Sequence, residues 1–173
     1  PIVTGKAPTC IKCPSCAIME GLAGAGAFSD GKYVISTEYG GWLPDFLPPE
    51  QVLDYIEQAD GILQHFGAPA ERFMPNNELK KKCLEYDLHM AQLKHLGTDA
   101  NFETMRKMAA FLKEHVTILT DTDVTDVDKA AHTVHYEGKG VQDSVTAEHI
   151  IFAVGRVGSR FFAKWCSQNG IPL

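Results

Sequence analysis

Between Gly21 and Lys32 the chain reads Gly-Leu-Ala-Gly-Ala-Gly-Ala-Phe-Ser-Asp-Gly-Lys. From Gly24 to Gly31 there is little side chain to pack, which leaves the backbone available to something else. Small residues let backbone amides approach an anion closely, and Ser29 and Lys32 add polar donors. Two phosphate-binding patterns nearly fit. Gly26 to Lys32 matches GxxxxGK, but Tyr33 stands where a Ser or Thr would hold Mg²⁺. Gly24-x-Gly26 is followed by Ser29 where a dinucleotide fingerprint has glycine. Neither pattern follows a convincing buried strand. The competing interpretation is a tight glycine turn against a packed neighbour, and both stay open at the level of sequence.

The pattern around this stretch divides the chain. Residues 1–41 are rich in Gly and Cys and poor in periodic apolar residues, with a short strand expected at Tyr33-Val34-Ile35-Ser36. After Pro48-Pro49, the residues Val52, Ile56, Ala59, Leu63 and Phe66 recur at helical spacing. Pro49 suits the first turn, Glu50 the positive helix end, and Gly67 the stop. A second helix is expected from Asn77 to Leu88, with an Asn cap and Leu79, Cys83, Leu84 and Leu88 facing inward. A third carries the stripe Phe102, Met105, Ala109, Leu112 and Val116 behind a Thr98 or Asp99 cap. Val116 to Val127 is rich in β-branched residues and predicts one or two strands. Thr133 to Tyr136 and Val141 to Ala147 flank Glu137-Gly138-Lys139-Gly140, a hairpin signal. His149 to Val154 is a continuous apolar run, which predicts a strand buried on both faces. Gly155 ends it, and Ser159 caps a last helix through Phe161, Phe162 and Trp165, with Gly170 as its stop.

Composition narrows the function classes. The 173 residues suit one globular domain, and a chain of that length buries about 70% of its unfolded surface without needing cross-links. Sixteen basic against 22 acidic residues give a net charge of −6, and no Lys/Arg stripe stands out, which argues against a nucleic-acid binder. No apolar run reaches the ~18 residues of a membrane span, and no secretory signal is visible. Five cysteines (Cys10, Cys13, Cys16, Cys83 and Cys166) are an odd number and do not resemble a secreted disulfide framework, so a cytoplasmic, reducing compartment is expected. Cys10-x-x-Cys13-x-x-Cys16 has the spacing of thiolates sharing a metal or an iron–sulfur cluster, although Glu20 stands where a bacterial cluster run has its fourth Cys. Cys13/Cys16 as a redox pair, or three free thiols in a loop, are the alternatives. The histidines form no strong ligand pattern. His132 and His135 are expected on opposite faces of one strand, and His65 and His115 near helix C-termini. The acidic run Asp121 to Asp128 and the run Lys80-Lys81-Lys82 are expected to be solvated, and Phe161, Phe162 and Trp165 to be core.

The segment Ile18 to Tyr33 resembles the GxAGAGxFSDGK segment of the uncharacterised FAD-dependent dehydrogenases, flavoproteins with a glutathione-reductase-type FAD domain. His95-Leu96-Gly97-Thr98-Asp99 resembles a second segment of that family. Thr122 to Val127 resembles the strand that passes the adenosine end of FAD, and Ile151 to Arg156 the Ala-x-Gly strand of the same fold. Order and spacing agree over most of residues 18–162. That family opens with a strand–GxGxxG–helix unit which this sequence lacks, and the closing segment that helps hold the flavin is also missing. The resemblance therefore implies the middle of a flavoenzyme. It implies Gly24, Gly26, Ser29, Asp30, Gly31 and Lys32 near the flavin, Val124 near the adenine, and Ala153, Gly155 and Arg156 near the pyrophosphate.

The expected fold class is α+β: an incomplete mixed FAD-domain sheet with an inserted helical substrate-domain segment. Residues 1–47 are the Gly/Cys-rich part of the FAD domain, 48–95 the helical insert, and 96–173 the helix, hairpin, buried strand and terminal helix. The expected function is part of an FAD-dependent oxidoreductase, with NAD(P) as a further cofactor, a small-molecule substrate, and the remainder of its own chain as partner. Such a part is expected to be inactive alone and prone to self-association through its bare edge. The competing functions are a metal or cluster module at Cys10, Cys13 and Cys16, and a P-loop-like nucleotide binder at Gly26 to Lys32.

Overall fold

The structure is a computed structural model and describes residues 23–38 and 40–173. Gly24–Phe28 forms a 3-10 helix and is followed by β1 (Lys32–Val34); a second 3-10 turn at Leu43–Asp45 precedes α1 (Pro49–His65). Then come α2 (Asn77–Leu84), β2 (Leu93–His95), α3 (Thr98–His115), β3 (Thr122–Asp128), β4 (Thr133–Gly138), β5 (Val141–Thr146) and α4 (Gly155–Gln168). The class is α+β. Among the described residues all strand pairing is antiparallel, in a two-stranded sheet β1-β2 and a three-stranded sheet β3-β4-β5, where a mixed sheet was expected.

Several elements follow directly from local chemistry. Pro49 opens α1 at its first turn and Gly67, at φ +106°, follows its end. Asn76 caps α2 by accepting from Leu79 N at 2.7 Å. β4 and β5 turn through Lys139 (φ +53°) and Gly140 (φ +76°), the paired positive angles that suit the right-handed twist of a hairpin. Asp128 Oδ1 accepts from the amides of Ala130 and Ala131, both at 2.8 Å, which turns β3 toward β4.

β2 is the hinge between early and late sequence. It pairs with β1 in the register Lys32↔His95, Tyr33↔Lys94 and Val34↔Leu93. Backbone bonds extend the pairing on both sides, from Ile35 N to Gln92 O (2.8 Å), Leu96 N to Gly31 O (3.0 Å) and Gly97 N to Asp30 O (3.1 Å). The other edge of β2 meets Phe73. Farther along the chain, Val127, Trp165 and Cys166 form a core against which Val134, Ile150, Phe152, Phe161, Phe162 and Ile171 pack. Trp165 donates its indole N–H to Val127 O at 2.7 Å.

The structure corrects five expectations. Residues 149–154 are not a doubly buried strand: they belong to no ladder, Ile150 and Phe152 pack inward on Trp165, and Ile151 is 88% exposed. A strand buried on both faces needs neighbours on both edges, and here the run serves one face only, as the lining of α4. The last helix starts at Gly155, not beyond Ser159. Gly158 permits this, because a Cβ there would collide with Val154 Cβ. The helix at Asn77 ends at Leu84, where Asp87 enters the left-handed region and Leu88 N turns back to Cys83 O (2.9 Å). Leu79, Leu84 and Leu88 are exposed. Of the 116–127 stretch only 122–127 is strand, as part of β3, and His132 lies outside β4 at φ +51° with Nδ1 3.0 Å from Glu148 O. Among the described residues no helix is long and apolar enough to cross a membrane.

Candidate functional site

The Gly-rich segment and the start of α3 form one junction. Asn101 is fully buried and reaches back 75 residues, donating from Nδ2 to Gly26 O at 2.6 Å, while its Oδ1 accepts from the Tyr33 hydroxyl at 2.5 Å. Burial raises the Tyr33 phenol above its usual range, so it remains a donor. Ser29 Oγ donates to Gly26 O (3.0 Å) and accepts from Gly31 N (3.2 Å). Gly31 sits at φ +66°, and a Cβ there would lie 2.9 Å from Asn101 Cβ and 3.0 Å from Leu96 Cβ. Its glycine requirement therefore comes from a packed neighbour within the protein. Phe28 stacks on Phe102 with ring centroids 5.6 Å apart.

On the outer side of this junction Asp30 meets His95 Nε2 at 2.9 Å and Lys32 Nζ at 2.8 Å. The hydrogen bond from His95, then that from Lys32, lowers the Asp30 carboxyl to about 2. Asp30 is thus ionised at any pH near neutral and is unsuited to general acid–base work. All of Gly24, Gly26, Ser29, Asp30, Gly31 and Lys32 belong to this junction, and His95, from the second family-like segment, joins them. Two of the loop amides are engaged, Gly31 N by Ser29 Oγ and Ser29 N by Gly26 O at 3.3 Å. At Gly26, by contrast, a Cβ would have no atom within 4 Å, and Ala25 and Gly26 are exposed.

A second cluster lies behind β2. Asp60 Oδ1 pairs with Lys94 Nζ at 2.5 Å, and Oδ2 accepts from Arg72 (2.6 Å) and Gln64 (2.8 Å). Arg72 also grips Glu57 with two bonds, at 2.8 and 2.6 Å. The Lys94 side chain is 0% exposed and that of Asp60 1%. Burial pushes the Asp60 carboxyl up, but the bonds from Lys94, Arg72 and Gln64 outweigh it and hold it below its ordinary range. Arg72 likewise lowers Glu57. Asp60 lines a cavity of about 360 Å³ between α1 and the β1 segment.

The remaining sequence-derived positions lie in the later part of the chain. Val124 is on β3 and 44% exposed, Ala153 is exposed in the run before α4, Gly155 opens α4, and Arg156 is in its first turn. Cys10, Cys13 and Cys16 lie outside the described residues. Of the cysteines considered as a fourth ligand, Cys83 contacts Met90 Sδ at 3.2 Å and Cys166 is buried in the Trp165 core. Among the described residues no group of three or more His, Cys, Asp or Glu is arranged to hold a metal.

Sequence reasoning passed over Asp60, Lys94 and Asn101. A signal existed for two of them. Val52, Ile56, Asp60 and Leu63 share one helical face, as do Asn101, Met105, Met108 and Leu112, so each polar residue interrupts an apolar stripe. Lys94 gives no such sign, because a three-residue strand is too short to show alternation. Comparison with protein-family models, with curated proteins and with solved structures yields no match.

Proposed function

We propose that the chain is part of an FAD-dependent oxidoreductase. The observation that carries this reading is the junction itself. The two most distinctive family-like segments, Gly24 to Lys32 and His95 to Asp99, fold against each other through Asp30–His95 and the adjoining Asn101. Their side chains and glycines lock the loop from within and leave Ala25, Gly26 and the Lys32 ammonium accessible. The open space at Gly26 suits the approach of a flat ring.

The chemistry of the donor set supports the same reading at the other end of the cofactor. α4 begins at Gly155 with no side-chain cap and no acidic residue in its first turn, and nothing lies within 4 Å of a Cβ built at Gly155. Uncapped amides at a helix start suit a pyrophosphate. Val124, exposed on β3, offers an apolar contact for an adenine. On this reading Gly26 and Lys32 hold the flavin ring, Gly155 and Arg156 the pyrophosphate, and Val124 the adenine. Bound FAD supplies hydride transfer, with NAD(P) and a small molecule as the exchanging partners. The chain's own contribution is to fix the loop through Asn101 and Gly31 and to hold Lys32 by its carboxylate partner Asp30.

The test is the protein isolated from its natural source with whatever chain it carries there. The expected result is a flavin absorption band, with FAD released on denaturation. Preparations that keep their helical circular dichroism and contain no flavin overturn the reading.

A further inference from the structure

The side of α1 that carries Val52, Ile56, Ala59 and Leu63 borders the cavity of about 360 Å³, and Tyr33 and Ile35 line its other wall. Apolar side chains facing empty space lose the dispersion contacts that a filled core supplies. The volume falls within the ~300–1,000 Å³ of small-molecule pockets.

The polar groups sit at two ends that differ in burial and in charge. At the buried end Asp60 already takes bonds from Lys94, Arg72 and Gln64, so a cationic ligand meets no free carboxylate there. Toward the exposed end the lining includes Lys32 and the half-buried Ser36 and Thr37, with Ser36 Oγ accepting from Glu38 N at 3.1 Å. The carboxylate partner of Lys32, Asp30, is shared with His95, so its negative charge is divided between two donors. An apolar body fits the α1 wall, and an anionic head fits the exposed end. A plain hydrocarbon would leave that end unused.

We propose that this cavity binds a small amphiphilic carboxylate, its apolar body along the Val52–Leu63 face of α1 and its oxygens met by Lys32, Ser36 and Thr37. The site shares Lys32 with the flavin reading and otherwise uses α1 and the segment around β1.

The test titrates the purified protein calorimetrically with decanoate and with 1-decanol, below the concentrations at which either aggregates. Decanoate is expected to bind one equivalent and the alcohol about ten-fold more weakly, since a bond to a charged group is worth about 1.5–3 kcal/mol. Lys32→Gln should remove that advantage and leave 1-decanol binding unchanged. Ile56→Trp fills the cavity and should abolish both. Should that variant lose its cooperative melt, Ala59→Trp, which enters from an exposed position, replaces it with the same expectation. No decanoate binding by protein that melts cooperatively overturns the proposal. So does equal binding of acid and alcohol that ignores Lys32→Gln.

Discussion

The segment from Gly24 to His115 and the segment from Thr122 to Ile171 bury opposite kinds of side chain. In the first, the largest fully buried side chains are Lys94, Asn101, Thr104 and Asp60, beside the buried apolar residues Ala27, Ile35, Val52, Ala68 and Ala91, none of them aromatic. In the second, the centre is Trp165 with Cys166 and Val127, and the ring of Phe152 lies 4.6 Å from that of Trp165. An apolar core loses stability in proportion to what is removed. A buried ion pair behaves differently, because losing one partner leaves the other charged, dry and unpaired.

That difference sets the largest expected effects. Asp60→Ala or Lys94→Ala should cost about 3–5 kcal/mol, whereas the double change Asp60→Leu with Lys94→Met should come out near neutral. Arg72 keeps its two bonds to Glu57 in that double variant. Trp165→Ala should also cost about 3–5 kcal/mol, but no second substitution at Phe152 should restore it. Urea denaturation followed by circular dichroism measures all four. If the double variant is as unstable as either single, the pair is not an isolated charge problem, and the contrast between the two segments fails.

Much of this architecture was legible in the sequence, and the failures share a cause. α1, α3 and the β4-β5 hairpin followed from periodicity, Pro49, Gly67 and the Lys139-Gly140 turn, all of which act within a few residues. The aromatic core of Phe161, Phe162 and Trp165 and the solvated aspartates of the Asp121–Asp128 run were likewise visible. The run His149 to Val154 misled because apolar continuity reports what a segment would bury, while the supply of neighbouring strands decides whether it can. At the junction, glycine content flagged Gly24 to Lys32 but not its partner. Asn101 sits 75 residues away from Gly26, and only the three-dimensional contact explains why Gly31 must be glycine.

The junction gives a sharper, smaller comparison. Gly31→Ala combines a left-handed backbone at φ +66° with a Cβ 2.9 Å from Asn101 Cβ, so it should cost about 1–3 kcal/mol. Gly26→Ala enters open space and should change stability by no more than about 0.5 kcal/mol. Thermal melting of the two variants side by side measures the gap. Equal losses would mean that both glycines serve the same backbone role, and that Asn101 is not what fills the space at Gly31.

The smallest effect concerns acid. Asp30 and Asp60 are both held below the ordinary carboxylate range, one at the surface and one in the interior. For Asp30 the folded value is about 2 against an ordinary 3.8, so whatever it contributes is complete above 3.8 and is lost as pH falls through about 2. Its exposure keeps that contribution slight, and Asp30→Asn should barely move the melting temperature at neutral pH. For Asp60 the sign is the same, but protonation also breaks a buried pair, so acid unfolding of the first segment should follow Asp60. Carboxyl-detected NMR titration separates the two. The Asp30 resonance should titrate near 2 in protein that is still folded. His95→Gln should raise that midpoint more than Lys32→Gln, because the histidine bond is the larger cause. An Asp30 midpoint at 3.8 in folded protein would mean that Gly24–Lys32 and β2 are joined by backbone alone, without the outer ion pair.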